Sequence, residues 1–344
     1  MTSLMFNEAL EAPAVVARQL AADHGEVAAV ARALADPRGR GVLTLARGSS
    51  DHAAQHLAYL AMARLGRLVT SLPLSLITLY GSRIGGPGLL SLAFSQSGQS
   101  PDLVDPTIAL GERSATTVAV VNDTASPLAA AARHVLPLHA GPERSVAATK
   151  SYIAQLVAGA RLVAQAAEDD ALLAALHDLP GVLERAAALR WPQAEAMLAG
   201  ASQLFVLSRG PGLAIAQEAA LKFKEVCGLQ AEAFSGAEVQ HGPMALIDAG
   251  WPVLVLAPRG PAQHGLVALA QRLSARRAQV LVAAPPDTPG LDGVPHLPLV
   301  TSGHEDLDAI AAVQTFYPMV EALARLRDRD PDTPPHLAKI TRTT

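Results

Sequence analysis

The 344-residue sequence predicts an α/β protein of two tandem copies of one unit, each a parallel doubly wound sheet flanked by helices. Three observations predict it. The chain repeats itself: VLTLARG at 42–48 returns as LFVLSRG at 204–210, and at this spacing of about 160 residues Gly48 falls on Gly210 and Gly98 on Gly260. Short apolar runs alternate with longer Ala/Leu-rich stretches at helical spacing, the signature of βαβ units. The apolar runs also lack polar alternation, as strands covered on both faces do.

In chain order, residues 6–36 read as a helical lead-in, part of an N-terminal segment 1–39. The first copy, 40–165, opens on VLTLARG and continues into HAAQHLAYLAMARLG (52–66), a helical stretch after a Gly turn. LSLAF before Gly98, TVAVV (117–121) and HVLPL (134–138) supply its other strands. Residues 166–199 read as a helical linker. The second copy, 200–330, matches run for run: LFVLSRG, the helix LAIAQEAALKFKEVCG (213–228), VLVLA before Gly260, QVLVA (279–283) and HLPLV (296–300). A tail, 331–344, follows. The expected architecture is a flavodoxin-like three-layer α/β/α sandwich, twice.

Half the residues are apolar and 17% are charged, enough for a substantial core. A net charge of −4 without any Lys/Arg cluster argues against a nucleic-acid partner. No apolar run approaches the roughly 18 residues of a membrane span. MTSLMFNEALEAP carries acids where a signal peptide carries bases, so a cytoplasmic protein is expected. One cysteine, Cys227, leaves no disulfide framework and no cysteine metal cluster. His52 and His56 stand four apart on the first helix, as two metal ligands would. No HExxH pattern or acidic third ligand surrounds them, so they read as helix-surface residues and neither metal nor cofactor is expected.

Ligands of doubly wound sheets bind beyond the carboxyl ends of the strands, so the turns there carry the chemistry. In the first copy they are Arg47-Gly48-Ser49-Ser50 and Ser95-Gln96-Ser97-Gly98-Gln99-Ser100, with Ala147–Thr149 as a third. Each places hydroxyls and backbone N–H groups where a helix begins. Serine often caps helices there, but several such turns in one copy favour an anion site. The twin turns read APRG (257–260) and RGPG (209–212), stripped of hydroxyls, which makes the first copy the phosphate binder. The second copy instead carries Gln217, Glu218, Lys222, Lys224 and Glu225 on one helix. Spacings of four and three put Glu218, Lys222 and Glu225 on one face, a pattern that a solvated, salt-bridged helix also shows. AEAFSGAEVQHGPMALID (231–248) follows as a loop, with His241 beside Gly-Pro.

These segments resemble the sugar isomerase (SIS) domain family, in particular the isomerase half of glucosamine-6-phosphate synthase and stand-alone deaminases of that type. SQSGQSPD resembles the SQSGET phosphate turn, RGSS the G-T-S turn and GPERSVAATKSY (141–152) the VASTK segment. ALKFKE (220–225) with AEAFSGAEVQHGPMALI resembles the family's catalytic signature, and DPDTPPHLAK (330–339) its ending. The resemblance implies that Ser49, Ser50, Ser95, Gln96, Ser97 and Ser100 hold the sugar phosphate, with Val146, Ala147 and Ala148 also in the binding set. It implies that Glu225 moves the proton between C1 and C2 and that Lys222 fixes its charge state. His241 would assist ring opening from a neighbouring subunit of a homodimer. Lys339 would form a Schiff base with the keto sugar. Two departures stand out: Ala148 replaces a serine, and Pro335-His336 replaces Arg-Asn before LAK. The glutamine-hydrolysing domain of the synthase starts with a cysteine, whereas this chain starts MTSLMF, so no glutaminase activity is expected. The expected activity is conversion of glucosamine-6-phosphate and water to fructose-6-phosphate and ammonia. A fructosamine-6-phosphate deglycase and a ketose/aldose phosphate isomerase are the alternatives within the family, and a non-catalytic sugar-phosphate sensor is the alternative outside enzymes.

Overall fold

The computed structural model describes residues 2–22 and 24–339. Of the predicted tail, 340–344 lie outside the described residues, as do Met1 and Asp23 of the lead-in. The elements run α1 (Leu4–Leu10), α2 (Ala12–Leu20), α3 (His24–Ala35), β1 (Gly41–Leu45), α4 (Gly48–Leu65), β2 (Val69–Ser71), α5 (Ser75–Thr78), β3 (Leu89–Ser95), α6 (Pro101–Glu112), β4 (Thr116–Val121), α7 (Pro127–Ala131), β5 (His134–Pro137) and α8 (Lys150–Ala166). They continue α9 (Asp170–Ala188), α10 (Pro192–Leu198), β6 (Gln203–Ser208), α11 (Gly212–Cys227), β7 (Gln230–Ser235), β8 (Pro252–Leu256), α12 (Gln263–Ala275), β9 (Gln279–Ala284), β10 (His296–Pro298) and α13 (Glu305–Leu326). Two compact units result. One holds Ala14–Glu143, Lys150–His177 and Leu337–Thr344; the other holds Met1–Pro13, Arg144–Thr149 and Asp178–His336.

Each unit contains one five-stranded, wholly parallel sheet, ordered β2-β1-β3-β4-β5 in the first and β10-β9-β8-β6-β7 in the second. Counted within its own unit, each order is 2-1-3-4-5, the flavodoxin-like arrangement. The registers repeat too. Leu43 pairs with Thr70 and Ser91 in the first sheet, and its twin Phe205 pairs with Glu232 and Val253 in the second. The duplication read from the sequence is therefore a duplication of strand pairing.

In the first unit, Leu45, Ala93, Val121, Leu103, Leu110 and Leu128 form a core between sheet and helices. α4 also packs against α8, and Gly159 of α8 makes that approach close: a Cβ there would meet the Leu57 Cβ at 3.0 Å. Covered on both sides, α4 buries His56 completely, which corrects its reading as a helix-surface residue. Arg161 of α8 is buried as well, donating to the Gln19 and Ala22 carbonyls at 2.9 and 3.0 Å and so fixing the end of α2. In the second unit, Phe205 packs against the rings of Phe234 and Trp251, centroids 5.0 and 5.2 Å away. α13 is buried along nearly its whole length and meets α11 through an edge-to-face Phe223–Phe316 pair.

The segment read as a loop around 231–248 begins instead with strand β7, paired to β6 over six residues, and continues through 3₁₀ turns at Glu238–His241 and Pro243–Leu246. No described helix is long and apolar enough to cross a membrane. Cys227, in the last turn of α11, lies fully buried with its thiol against the Val320 carbonyl at 3.5 Å. Burial pushes that thiol up to about 12, partly opposed by Arg327 and Arg329. The folded protein is expected to resist alkylation by iodoacetamide at neutral pH and to take up one equivalent in guanidinium; fast labelling of the folded chain would show that α11 frays.

Candidate functional site

The serine turns of the first unit lie where β1 and β3, neighbours in the sheet, end side by side. β1 runs into α4 and β3 into α6, so two helix N-termini open at the same edge, each offering unpaired N–H groups and a partial positive charge. Ser49 and Ser50 lie inside the first turn of α4, not at its cap; the N-cap is Arg47, whose side chain makes no capping bond. Ser100 occupies the N-cap of α6, again without a side-chain capping bond. The hydroxyls thus have work other than capping. Ser95 Oγ accepts from the Gly98 N–H at 2.9 Å and Ser97 Oγ from the Gln99 N–H at 3.3 Å, which curls the turn. Ser50 Oγ accepts from Gln155 Nε2 of α8 at 3.1 Å. Gln96 and Ser97 are half-buried in the same turn.

Gly98 is required at its position. Its φ is +64°, and a Cβ would lie 2.2 Å from Ser126 Oγ, the hydroxyl that caps α7. One residue of the first turn to which the sequence assigned no role of its own ties the two turns together. Arg47 donates its Nε to Asp102 Oδ2 at 2.9 Å, joining the start of α4 to the first turn of α6 through a carboxylate that is itself buried. Nothing in the residue pattern gave a partner to that arginine.

The matched turn of the second unit is closed by the protein itself. Arg259 of APRG donates Nε and Nη2 to the two oxygens of Asp308 at 2.6 and 2.9 Å, and Nη2 also reaches the Ser302 carbonyl at 2.7 Å. Asp308 sits in the first turn of α13, buried. An internal carboxylate thus occupies the guanidinium where the first unit presents hydroxyls.

The second unit's charged cluster lies on α11. Lys222 is buried, with Nζ 2.7 Å from Glu225 Oε2 and 3.2 Å from Glu218 Oε1. Glu218 is wholly buried and also accepts from the Tyr317 hydroxyl of α13 at 3.3 Å. Glu225 remains 20% exposed. The solvated-face reading therefore fails for Glu218 and Lys222, which are packed inward, while Lys224 is exposed. Burial opposes the charge on Lys222, but Glu218 and Glu225 outweigh it and hold the ammonium above the ordinary lysine value. Lys222 is thus a fixed cation, and Glu225 is the member of the cluster that meets solvent.

His241 ends an exposed 3₁₀ turn and makes no side-chain hydrogen bond or ion pair among the described residues. Val146, Ala147 and Ala148 fall in the short segment that groups with the second unit, where the Val146 N–H reaches the Asp332 carbonyl at 3.4 Å. Lys339, in the first unit, places Nζ 3.6 Å from Glu143 Oε2. Glu143, Asp102 and Tyr317 are the contributors that spacing did not reveal. Among the described residues no group of three His, Cys, Asp or Glu side chains is placed to hold a metal ion.

The SIS domain family matches residues 38–164 and 197–315. The glutamine–fructose-6-phosphate aminotransferase (isomerizing) of Aeropyrum pernix is 34% identical over 315 residues, covering 87% of this chain and 50% of the relative. The chain spans about half the length of the curated relatives it matches. A candidate phosphosugar isomerase from Silicibacter pomeroyi DSS-3 is 43% identical, with a TM-score of 0.90 over 96% of this chain and 100% of that one. The C-terminal domain of glucosamine-fructose-6-phosphate aminotransferase from Francisella tularensis shares the fold at 20% identity, TM-score 0.84, covering 97% of this chain and 99% of that one.

Replacing Lys222 by Met strands two carboxylates, one of them wholly buried, and is expected to cost about 3–5 kcal/mol of unfolding free energy. Because the lysine value is raised above 10.5, its contribution is complete below that pH and is lost as pH climbs through the folded-state value. The gap between wild type and Lys222→Met in urea unfolding should therefore stay constant from about pH 6 to 10 and narrow above; a gap that closes on acidification alone would contradict the cluster. Gly98→Ala should cost about 2–4 kcal/mol in urea unfolding, from its left-handed backbone and the Ser126 clash together.

Proposed function

The chain belongs to the SIS domain family, and on that premise we propose that it is a phosphosugar isomerase acting on an amino sugar, converting glucosamine-6-phosphate and water to fructose-6-phosphate and ammonia. The observation that carries this reading is the α11 cluster. A lysine fixed as a cation between two carboxylates leaves one of them, Glu225, open to solvent as a proton carrier, an arrangement that a binding module does not need. Phosphate recognition is assigned to the serine turns of the first unit, whose hydroxyls and helix N-termini suit a dianion.

In this reading, the sugar opens, Glu225 takes the C2 proton and returns it to C1, and the resulting enolamine becomes a C2 imine. Lys222 holds Glu225 in place and offsets its charge. The Lys339 amine exchanges with the C2 imine and releases ammonia; water then frees the ketose and restores the lysine. His241, exposed and without a side-chain hydrogen bond or ion pair among the described residues, assists ring opening from a neighbouring subunit of a homodimer.

Incubation of the purified chain with glucosamine-6-phosphate should yield ammonia and fructose-6-phosphate in equal amounts. Turnover confined to a fructosamine-6-phosphate or to a ketose/aldose phosphate pair would replace this assignment with another of the family, and binding without turnover of any of them would overturn catalysis altogether. Glu225→Gln should keep sugar-phosphate binding while losing about 10²–10⁴ in kcat, the usual worth of a positioned acid–base group.

A further inference from the structure

Glu143 lies in the loop between β5 and α8, and its side chain is wholly buried. Its carboxylate accepts from the backbone N–H of Ser151 at 3.2 Å and from the Ser151 hydroxyl, both in the first turn of α8. The third group on it comes from the far end of the chain: Lys339 Nζ, 3.6 Å away, on a side chain that is 24% exposed. A carboxylate withdrawn from water is costly unless it is hydrogen-bonded and faces a cation, and here both conditions are met by groups that hold it in one orientation. Seven residues before Lys339, Asp332 accepts from the N–H groups of Leu4 and Met5, both at 2.7 Å, so the start of the tail is tied independently. Lys339, at the end of the described residues, is a second and separate tie.

We propose that Glu143 is a positioning residue that seats Lys339. The amine of a lysine hangs on four rotatable side-chain bonds; imine formation needs it at one place. A buried carboxylate locked by Ser151 supplies a fixed point to which that amine returns. This inference rests on the reading of Lys339 as the imine-forming lysine, and the seat itself stands on geometry alone. Glu143 meets only the amine and is assigned no contact with the sugar, so its effect is on where that amine sits.

The sequence holds four lysines, Lys150, Lys222, Lys224 and Lys339, which makes the test direct. Lys224 is exposed and serves as the internal standard. The protein is treated briefly with a water-soluble acetylating ester, and the modification of Lys339 relative to Lys224 is read by mass spectrometry. Glu143→Gln should raise that ratio about five-fold or more, since the amine loses its ionic partner. Ser151→Ala, which leaves the carboxylate but unlocks it, should raise it by a smaller amount and covers the case in which Glu143→Gln fails to fold. In parallel, fructose-6-phosphate and borohydride should trap a reduced adduct on Lys339 of the wild type. The variant should give about ten-fold less adduct at unchanged affinity for the sugar phosphate. An unchanged acetylation ratio in both variants would overturn the seat. A raised ratio with no adduct on wild-type Lys339 would uphold the seat and overturn the imine reading.

Discussion

Parallel pairing is the constraint from which the rest of this structure follows. Two parallel strands cannot be joined by a tight turn, so each strand but the last of either sheet must be followed by a crossover that returns the chain to the other end of the sheet. Each crossover starts with a loop at a strand's carboxyl end and, in most cases, a helix whose first N–H groups have no partner within it. The chain reverses its winding direction between β1 and β3, and again between β6 and β8, which sets two helix N-termini side by side in each unit. A site for an anion is thus a by-product of the topology before any side chain is chosen.

What the two copies did with that by-product differs, and the difference is electrostatic. In the first unit the turns supply hydroxyls and N–H groups, neutral donors that leave the helix dipoles to attract a charged ligand. Arg47 and Asp102 brace them from the side. In the second unit the helix after the first strand carries charge, with Glu218 and Lys222 buried, Glu225 partly exposed beside them and Tyr317 behind. Burying such a cluster stabilises little by itself, since desolvation consumes most of the attraction. Its presence is better understood through what it fixes: one carboxylate held in place, facing outward.

Much of the architecture was legible in the residues because it rests on patterns that survive averaging. The repeat, the unbroken apolar strands and the helical stretches between them all reappear in the two sheets, down to the pairing of Leu43 and Phe205 with matched partners. β2 and β7 were not legible. β2 has three residues, and β7, QAEAFS, mixes charge and small side chains because it forms an edge. His56 was misread because helical spacing locates a face without saying how many layers cover it, and α8 covers the second face of α4. In the candidate site, the serines and the Lys222 pair could be found from local spacing. Asp102 with Arg47, Tyr317 with Glu218 and Glu143 with Lys339 could not, since 55, 99 and about 200 residues separate the partners and no short motif spans them.

The closed turn of the second unit has a consequence for how this molecule meets anions. Arg259 already holds a carboxylate that belongs to the same chain, gripped through two hydrogen bonds. A tethered partner acts at an effective concentration in the millimolar range or above, without giving up translational freedom each time it binds. Any free phosphate would have to compete against that standing occupant for the same guanidinium. The second unit's turn is self-liganded: Arg259 and Asp308 form a clamp between that turn and α13, and the anion it holds is written into the sequence.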